Sequence, residues 1–173
     1  MTLSSLFGAI KADWSANGSD WTRPGFRALA IYRIGVWRMT ISNKFIRAPF
    51  SVLYRFLYRL ARNRYGIEIP YSAKIGTGVI IEHQHGIVIH GSAIIGNGTI
   101  IRQGVTIGNR YLSSPYDAPI IGDHVNIGVG SAILGKIRIG NNSSIGANSV
   151  VLHDVPRNVS VAGSPAKIIP SRT

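Results

Sequence analysis

Isoleucine recurs at every sixth position through most of the second half of the chain. One series runs Ile69, Ile75, Ile81 and Ile87, and a second Ile89, Ile95, Ile101 and Ile107. A third runs Ile121, Ile127, Ile133, Ile139 and Ile145 and ends on Val151. A small residue often follows directly, as at Gly76, Gly96, Gly122, Gly128, Gly140 and Gly146. Four residues after the aliphatic position a small or branched residue is common, as at Val79, Thr99, Val105 and Val125. A period of six fits neither the 3.6-residue turn of a helix nor the open-ended alternation of a long strand. It predicts short strands separated by turns, three of which close a triangular coil of about 18 residues. Asn97-Gly98 and Asn141-Asn142 supply corners that tolerate positive φ. Stacked coils bury an apolar column that a single coil cannot.

The register slips by two residues between Ile87 and Ile89, and NRYLSSPYDAP breaks it between Ile107 and Ile121. Loops that interrupt a solenoid gather on one face and often carry function; a tolerated surface insertion is the plainer reading. The pattern changes before residue 66. Phe26, Ala30, Ile34 and Trp37 share a helical stripe just after Arg23-Pro24-Gly25. A second helix is expected to start near Pro49, a good first-turn residue. Ile46, Phe50, Leu53, Leu57 and Leu60 line one face of it and Arg55, Arg59 and Arg62 the other. The apolar stripe is expected on the end or side of the solenoid or on a partner subunit, and the basic stripe is a candidate contact for anionic lipid. The division is thus a helical region at 1–65, a hexapeptide β-helix at 66–163 with a loop at 109–119, and a tail at 164–173.

The 173 residues carry a net charge of +12, and residues 1–64 hold eleven Lys and Arg against two acids. The basic excess points to an anionic surface or partner there, or to a solvated helix face. No motif or aromatic pattern supports nucleic-acid binding. There is no cysteine, which excludes disulfides, thiolate nucleophiles and thiolate metal sites. No uncharged apolar run reaches membrane-spanning length, and MTLSSLFGAIKADW does not read as a signal peptide. A cytoplasmic location is expected, with contact at the inner membrane face as an addition.

The stretches PGFRALAIYRIG, YSAKIG, IIEHQHGIVIHGSAIIGNGTIIRQGVTIG, IGDHVNIGVGSAILGKIRIG, IGANSVV and VAGSPAKII follow one another in an order that resembles the serine acetyltransferase family. The likeness spans residues 23–169. The hexapeptide pattern is common to many acyl- and nucleotidyltransferases; the His-x-x-Gly-Ile-Val and Ala-Gly-x-Pro-Ala-Lys segments are more specific. The resemblance implies a left-handed parallel β-helix, a homotrimer with active sites between neighbouring subunits, and acetyl-CoA as donor. His83 matches the family's general base, which takes the hydroxyl proton; by itself it would read as a surface histidine at a corner. Glu68 matches the acid that pairs with the base, one methylene longer than the usual Asp. Their separation is close to one coil, which places them on adjacent coils. A carboxylate there orients the imidazole and stabilises its cation.

Glu82 sits beside His83 and points to the other side of the strand, toward acceptor or a neighbouring subunit. His85 is a second acceptor-side candidate. Gly108 and Asn109 occupy the place of the strand end that helps hold the pantetheine arm. Val129 and Ala147 are expected one coil apart on one edge along that arm. Ala162, Gly163 and Lys167 match the C-terminal loop, where a lysine meets nucleotide phosphates as a point charge. Plain turn geometry competes for each glycine. His90, His124 and His153 read as surface or corner residues, and no metal is expected.

Two features depart from the family. The Arg-His pair that helps recognise an amino-acid acceptor is replaced by Asp117 and Ala118 ahead of Pro119, and an anion there should repel a carboxylate. The long N-terminal helical region is shortened, with Asp20 as the one candidate to replace its acceptor-binding acid. The expected function is therefore acetyl-CoA-dependent O-acetylation of a sugar hydroxyl in polysaccharide biosynthesis. The alternatives are serine O-acetylation in cysteine biosynthesis, and a non-catalytic solenoid scaffold or membrane-surface module.

Overall fold

The computed structural model describes residues 2–170. Three helices precede the repeat: α1 (Leu3–Ala16), α2 (Pro24–Arg38) and α3 (Lys44–Leu60), the last continuing through a wider helical turn, Ala61–Tyr65. Fifteen short strands then wind around three flat faces. Face one holds β1 (Ile67–Glu68), β4 (Ile87–Ile89), β7 (Thr106–Gly108), β10 (Ala132–Leu134) and β13 (Val150–Val151). Face two holds β2 (Lys74–Ile75), β5 (Ile94–Ile95), β8 (Ile120–Ile121) and β11 (Arg138–Ile139). Face three holds β3 (Ile80–Ile81), β6 (Ile100–Ile101), β9 (Asn126–Ile127), β12 (Ser144–Ile145), β14 (Ser160–Gly163) and β15 (Ala166–Ile169). Strands pair in parallel from coil to coil, except that β15 turns back antiparallel on β14, so residues 166–169 of the C-terminal segment are a sheet edge. Residues 171–173 lie outside the described residues.

The six-residue series is the core. Ile81, Ile101, Ile127 and Ile145 stack on one another and end on Val161, all at most 3% exposed. Each inward isoleucine stabilises the fold by roughly 1.5–3 kcal/mol relative to exposure. Polar residues that line the column are satisfied: the Ser131 hydroxyl donates to Gly128 O at 2.8 Å or Gly146 O at 3.0 Å, and that of Ser143 to Gly140 O at 2.7 Å. The two-residue slip resolves inside β4, where Ile87 and Ile89 both point inward across one three-residue strand. Ile89 pairs with Ile107 one regular coil on, whereas Ile107 pairs with Ile133 across the interrupting loop, which lengthens that one coil and leaves the stacking intact.

The helices lie on the first coil through a buried polar belt. Asp13 and Arg33 form an ion pair at 2.8 Å, with Asp13 fully buried. Arg33 also donates to Ile75 O at 2.7 Å, and Asp13 accepts from Gly78 N at 2.9 Å. The Asn17 amide donates to Val79 O and accepts from Ile81 N. α2 lies close against α3, since a Cβ on Gly35 would run into the Tyr54 ring.

Two expectations are corrected here. α3 starts at Lys44, not near Pro49, because the Asn43 side chain accepts from Phe45 N at 2.9 Å and caps the first turn. Pro49 falls inside and forfeits one helical hydrogen bond. The expected packing stripe is also rotated. Tyr54 is the buried residue of α3, with Phe50, Leu57 and Tyr58 half-buried, while Ile46, Leu53 and Leu60 face out.

Candidate active site

β3 ends at Ile81, and residues 82–86 turn the corner into β4. The first turn of α2 packs directly on that strand end, because a Cβ on Gly25 would overlap Ile81 O. The close approach forms an open cleft of about 470 Å³ lined by Arg23, Pro24, Gly25, Glu82, His83 and Gln84. His83 is exposed on its wall. Among the described residues no hydrogen bond or ion pair occupies its imidazole.

Glu68 stands on β1, facing out from face one. Its Oε1 accepts from the Tyr58 hydroxyl at 3.2 Å. Burial, then the Glu68 charge, push the Tyr58 phenol up to about 12. His83 lies at the corner leading into β4, the strand on which Val88 pairs with Glu68. No hydrogen bond joins the two among the described residues, so in the single chain Tyr58 is the partner that holds Glu68. Glu82 forms an ion pair with Arg102 on the next coil, and Arg102 also donates to Ile127 O. His85 has φ +78° and serves the corner through its backbone, its N–H donating to Tyr65 O and its carbonyl accepting from Gly104 N. Asp20 caps its own turn, accepting from Thr22 N at 2.8 Å and Thr22 Oγ1 at 2.6 Å. Those bonds to Thr22 hold its carboxyl below the usual range. Asp20 is absent from the cleft lining.

The donor-side residues fall on two edges of the prism. Val129 and Ala147 extend the register of β9 and β12, so they stand one coil apart at the corner from face three to face one, the edge that also carries His83. Ala162 and Gly163 end β14 on that edge, and Lys167 pairs across from Ala162 on β15. Gly108 and Asn109 lie at the other end of face one. A Cβ on Gly108 would meet nothing within 4 Å, and the Asn109 amide donates to Tyr111 O at 2.9 Å. Asp117 lines a smaller pocket of about 190 Å³ on that edge, together with Arg110, Ser114 and Lys136. Ala118 is buried. The chain thus brings His83, Val129, Ala147, Ala162 and Gly163 to one edge and Gly108, Asn109 and Asp117 to another, with face one between them.

Sequence reasoning missed Arg23 and Gln84 in the cleft, Tyr58 on Glu68, and the cations Arg110 and Lys136 beside Asp117. The spacing of Glu82 and Arg102 equals that of the paired Ile81 and Ile101, and counting that coil would have found the ion pair. Among the described residues no group of three or more His, Cys, Asp or Glu is placed to hold a metal ion, and no helix is long and apolar enough to cross a membrane.

Residues 118–153 match the family model for the bacterial transferase hexapeptide (six repeats). The chain is 39% identical over 146 residues to a serine acetyltransferase of Synechococcus elongatus, covering 84% of this chain and 57% of that protein. It superposes on soybean serine acetyltransferase complexed with serine with a TM-score of 0.83 at 33% identity, covering 96% of this chain and 70% of that one. It superposes on a serine acetyltransferase in complex with CoA with a TM-score of 0.81 at 31% identity, covering 96% and 71%. The shared fold is the left-handed parallel β-helix. The chain spans between 50 and 63% of the length of the curated relatives it matches.

Proposed function

The chain belongs to the serine acetyltransferase-like family of hexapeptide-repeat acyltransferases, and from that membership we propose that it transfers an acetyl group from acetyl-CoA to an acceptor hydroxyl with His83 as general base. What carries this reading is the His83 imidazole on the wall of the Arg23–Gln84 cleft, which no hydrogen bond or ion pair occupies among the described residues. His83 takes the hydroxyl proton as the oxygen attacks the thioester carbonyl. The tetrahedral intermediate collapses by breaking the C–S bond, and the proton passes from His83 to the departing CoA sulfur. No acyl-enzyme forms. Backbone N–H groups near the thioester stabilise the oxyanion. Glu68 is the acid that would orient His83, a role that requires its carboxylate to exchange the Tyr58 hydroxyl for the imidazole. Val129, Ala147, Ala162, Gly163 and Lys167 line the donor's path along the His83 edge.

Gly108 and Asn109 join this site from a second copy. They sit across face one from His83, and that face presents an outward row of Val88, Thr106, Ala132 and Val150. Burying such rows against one another while bringing the two kinds of edge together suits a homotrimer.

The relatives and structural neighbours favour L-serine as acceptor over the saccharide expected from Asp117 and Ala118. The site supports that preference. Arg23 lines the same cleft as His83 and is a cation that complements an amino acid's carboxylate, while the Glu82 carboxylate there is already paired with Arg102. Arg110 and Lys136 line the same pocket as Asp117 and offset the charge that would repel a carboxylate. A hydroxyl-rich acceptor remains the second reading, resting on the absence of a cation at 117 and an imidazole at 118. Purified protein, acetyl-CoA and either L-serine or sugar acceptors distinguish the two: rapid thioester loss with serine supports the first, and loss only with a sugar supports the second. Failure to bind CoA in calorimetry would point instead to a non-catalytic scaffold.

A further inference from the structure

We propose that α3 is an interfacial helix that seats this protein on an anionic lipid surface. The chain from 44 to 65 carries six cations (Lys44, Arg47, Arg55, Arg59, Arg62 and Arg64) and no acid. It is attached to the rest of the fold along one side only, through Phe50, Tyr54, Leu57 and Tyr58. Tyr54 is its one buried residue up to Leu60, held on Gly35 and beneath the Arg38 guanidinium at 4.4 Å. The opposite side is apolar and uncovered. Phe45 is 78% exposed, Val52 66% and Phe56 65%, and Ile46, Leu53 and Leu60 are exposed beside them. At 100° per residue these six fall within an arc of about 120°. Lys44, Arg55 and Arg59 fall along one border of that arc, and all three are exposed.

This arrangement is the one an interface-lying helix needs. The apolar arc enters the acyl boundary, while long cationic side chains reach the headgroups from its border. The helix has 17 residues and carries charges along its length, so it lies along a bilayer and does not cross it. Charge decides between a lipid and a second copy of the chain. Isologous pairing of α3 with itself would set the same cations against one another with no acid on either side, whereas an anionic leaflet complements all of them. The six cations of residues 44–65, which the proposed chemistry leaves unused, then have a role.

The test is flotation of the full chain with vesicles. The wild type should float with phosphatidylcholine vesicles containing about 30% phosphatidylglycerol, bind neutral vesicles at least about tenfold less, and be released by about 0.5 M salt. Val52→Glu with Phe56→Glu should abolish flotation, and Arg55→Glu with Arg59→Glu should remove the preference for anionic vesicles. These side chains are exposed, so circular dichroism and melting temperature should stay at wild-type values. Three results would overturn the proposal. The wild type fails to float with anionic vesicles; both double variants float as well as the wild type; or Val52→Glu with Phe56→Glu lowers the oligomeric mass in sedimentation, which would make the face a protein interface.

Discussion

Replacing Asp13 by alanine removes a carboxylate that receives Arg33 Nε at 2.8 Å, Arg33 Nη2 at 3.3 Å and Gly78 N at 2.9 Å. The Arg33 side chain is 5% exposed, so its charge stays in the interior with no counter-charge, left to the carbonyls of Ile75 and Gly76 and the Tyr32 ring. Breaking one side of a buried pair costs about 3–5 kcal/mol, because the remaining charge keeps its desolvation penalty. For a chain of this size each kcal/mol lowers Tm by about 2–4 °C, so the shift should be on the order of 10 °C. Differential scanning calorimetry at fixed protein concentration reads it directly. The double variant Asp13→Ala, Arg33→Met removes both charges and should recover at least about half of the loss, since replacing a whole buried pair is often near neutral. The same belt ties α1 and α2 to β2 and β3, so Asp13→Ala should also loosen the Arg23–Gly25 wall of the cleft and raise KM for acceptor. An Asp13→Ala melt within about 2 °C of the wild type would refute the reasoning.

Ile107→Ala, at the centre of the column, should cost about 2–5 kcal/mol in urea unfolding, whereas Leu112→Ala, on the exposed loop, should change stability by under about 0.5 kcal/mol. Gly25→Ala forces a methyl onto Ile81 O and should cost about 1–3 kcal/mol while lowering kcat/KM, as the cleft wall must move. The raised Tyr58 phenol lies above its reference of 10.0, so the neutral form is the one folding favours. That contribution is complete below pH 10 and is lost as pH rises toward about 12, so Tyr58→Phe should flatten alkaline unfolding in this window.

The core was legible because a solenoid repeats its chemistry locally. Each isoleucine meets its equivalent one coil later, so the period alone located Ile81, Ile101, Ile127 and Ile145. Corners were legible for the same reason, with Gly98 and Asn142 at φ +61° and +58°. Where one signal competed with another, the reading failed. Pro49 marked a helix start, but Asn43 supplied a side-chain acceptor ahead of it and won. α1 went unread, and so did its contact with α2, because Asp13 and Arg33 share no periodicity and meet only through the fold. Val129, Ala147, Ala162 and Gly163 share the corner that carries His83, while Gly108 and Asn109, expected along the same donor arm, fall on another edge. The separation of Glu68 and His83 suggested a bonded pair, but it falls short of the first coil, on which Glu68 pairs with Val88, and Tyr58 from the preceding helix takes the carboxylate. The charge at Asp117 was legible, and Arg110 stands in the same loop, yet Lys136 comes from the next coil and became visible beside Asp117 only in space.

Acetyl transfer from acetyl-CoA with His83 as base makes CoA release depend on that one imidazole. Its most direct test is thioester loss by the purified protein with L-serine, wild type against His83→Ala. Serine-dependent CoA release should fall at least about 100-fold in the variant while CoA still binds. Equal turnover by the two proteins, or no acceptor-dependent CoA release from the wild type with any hydroxyl offered, would contradict it.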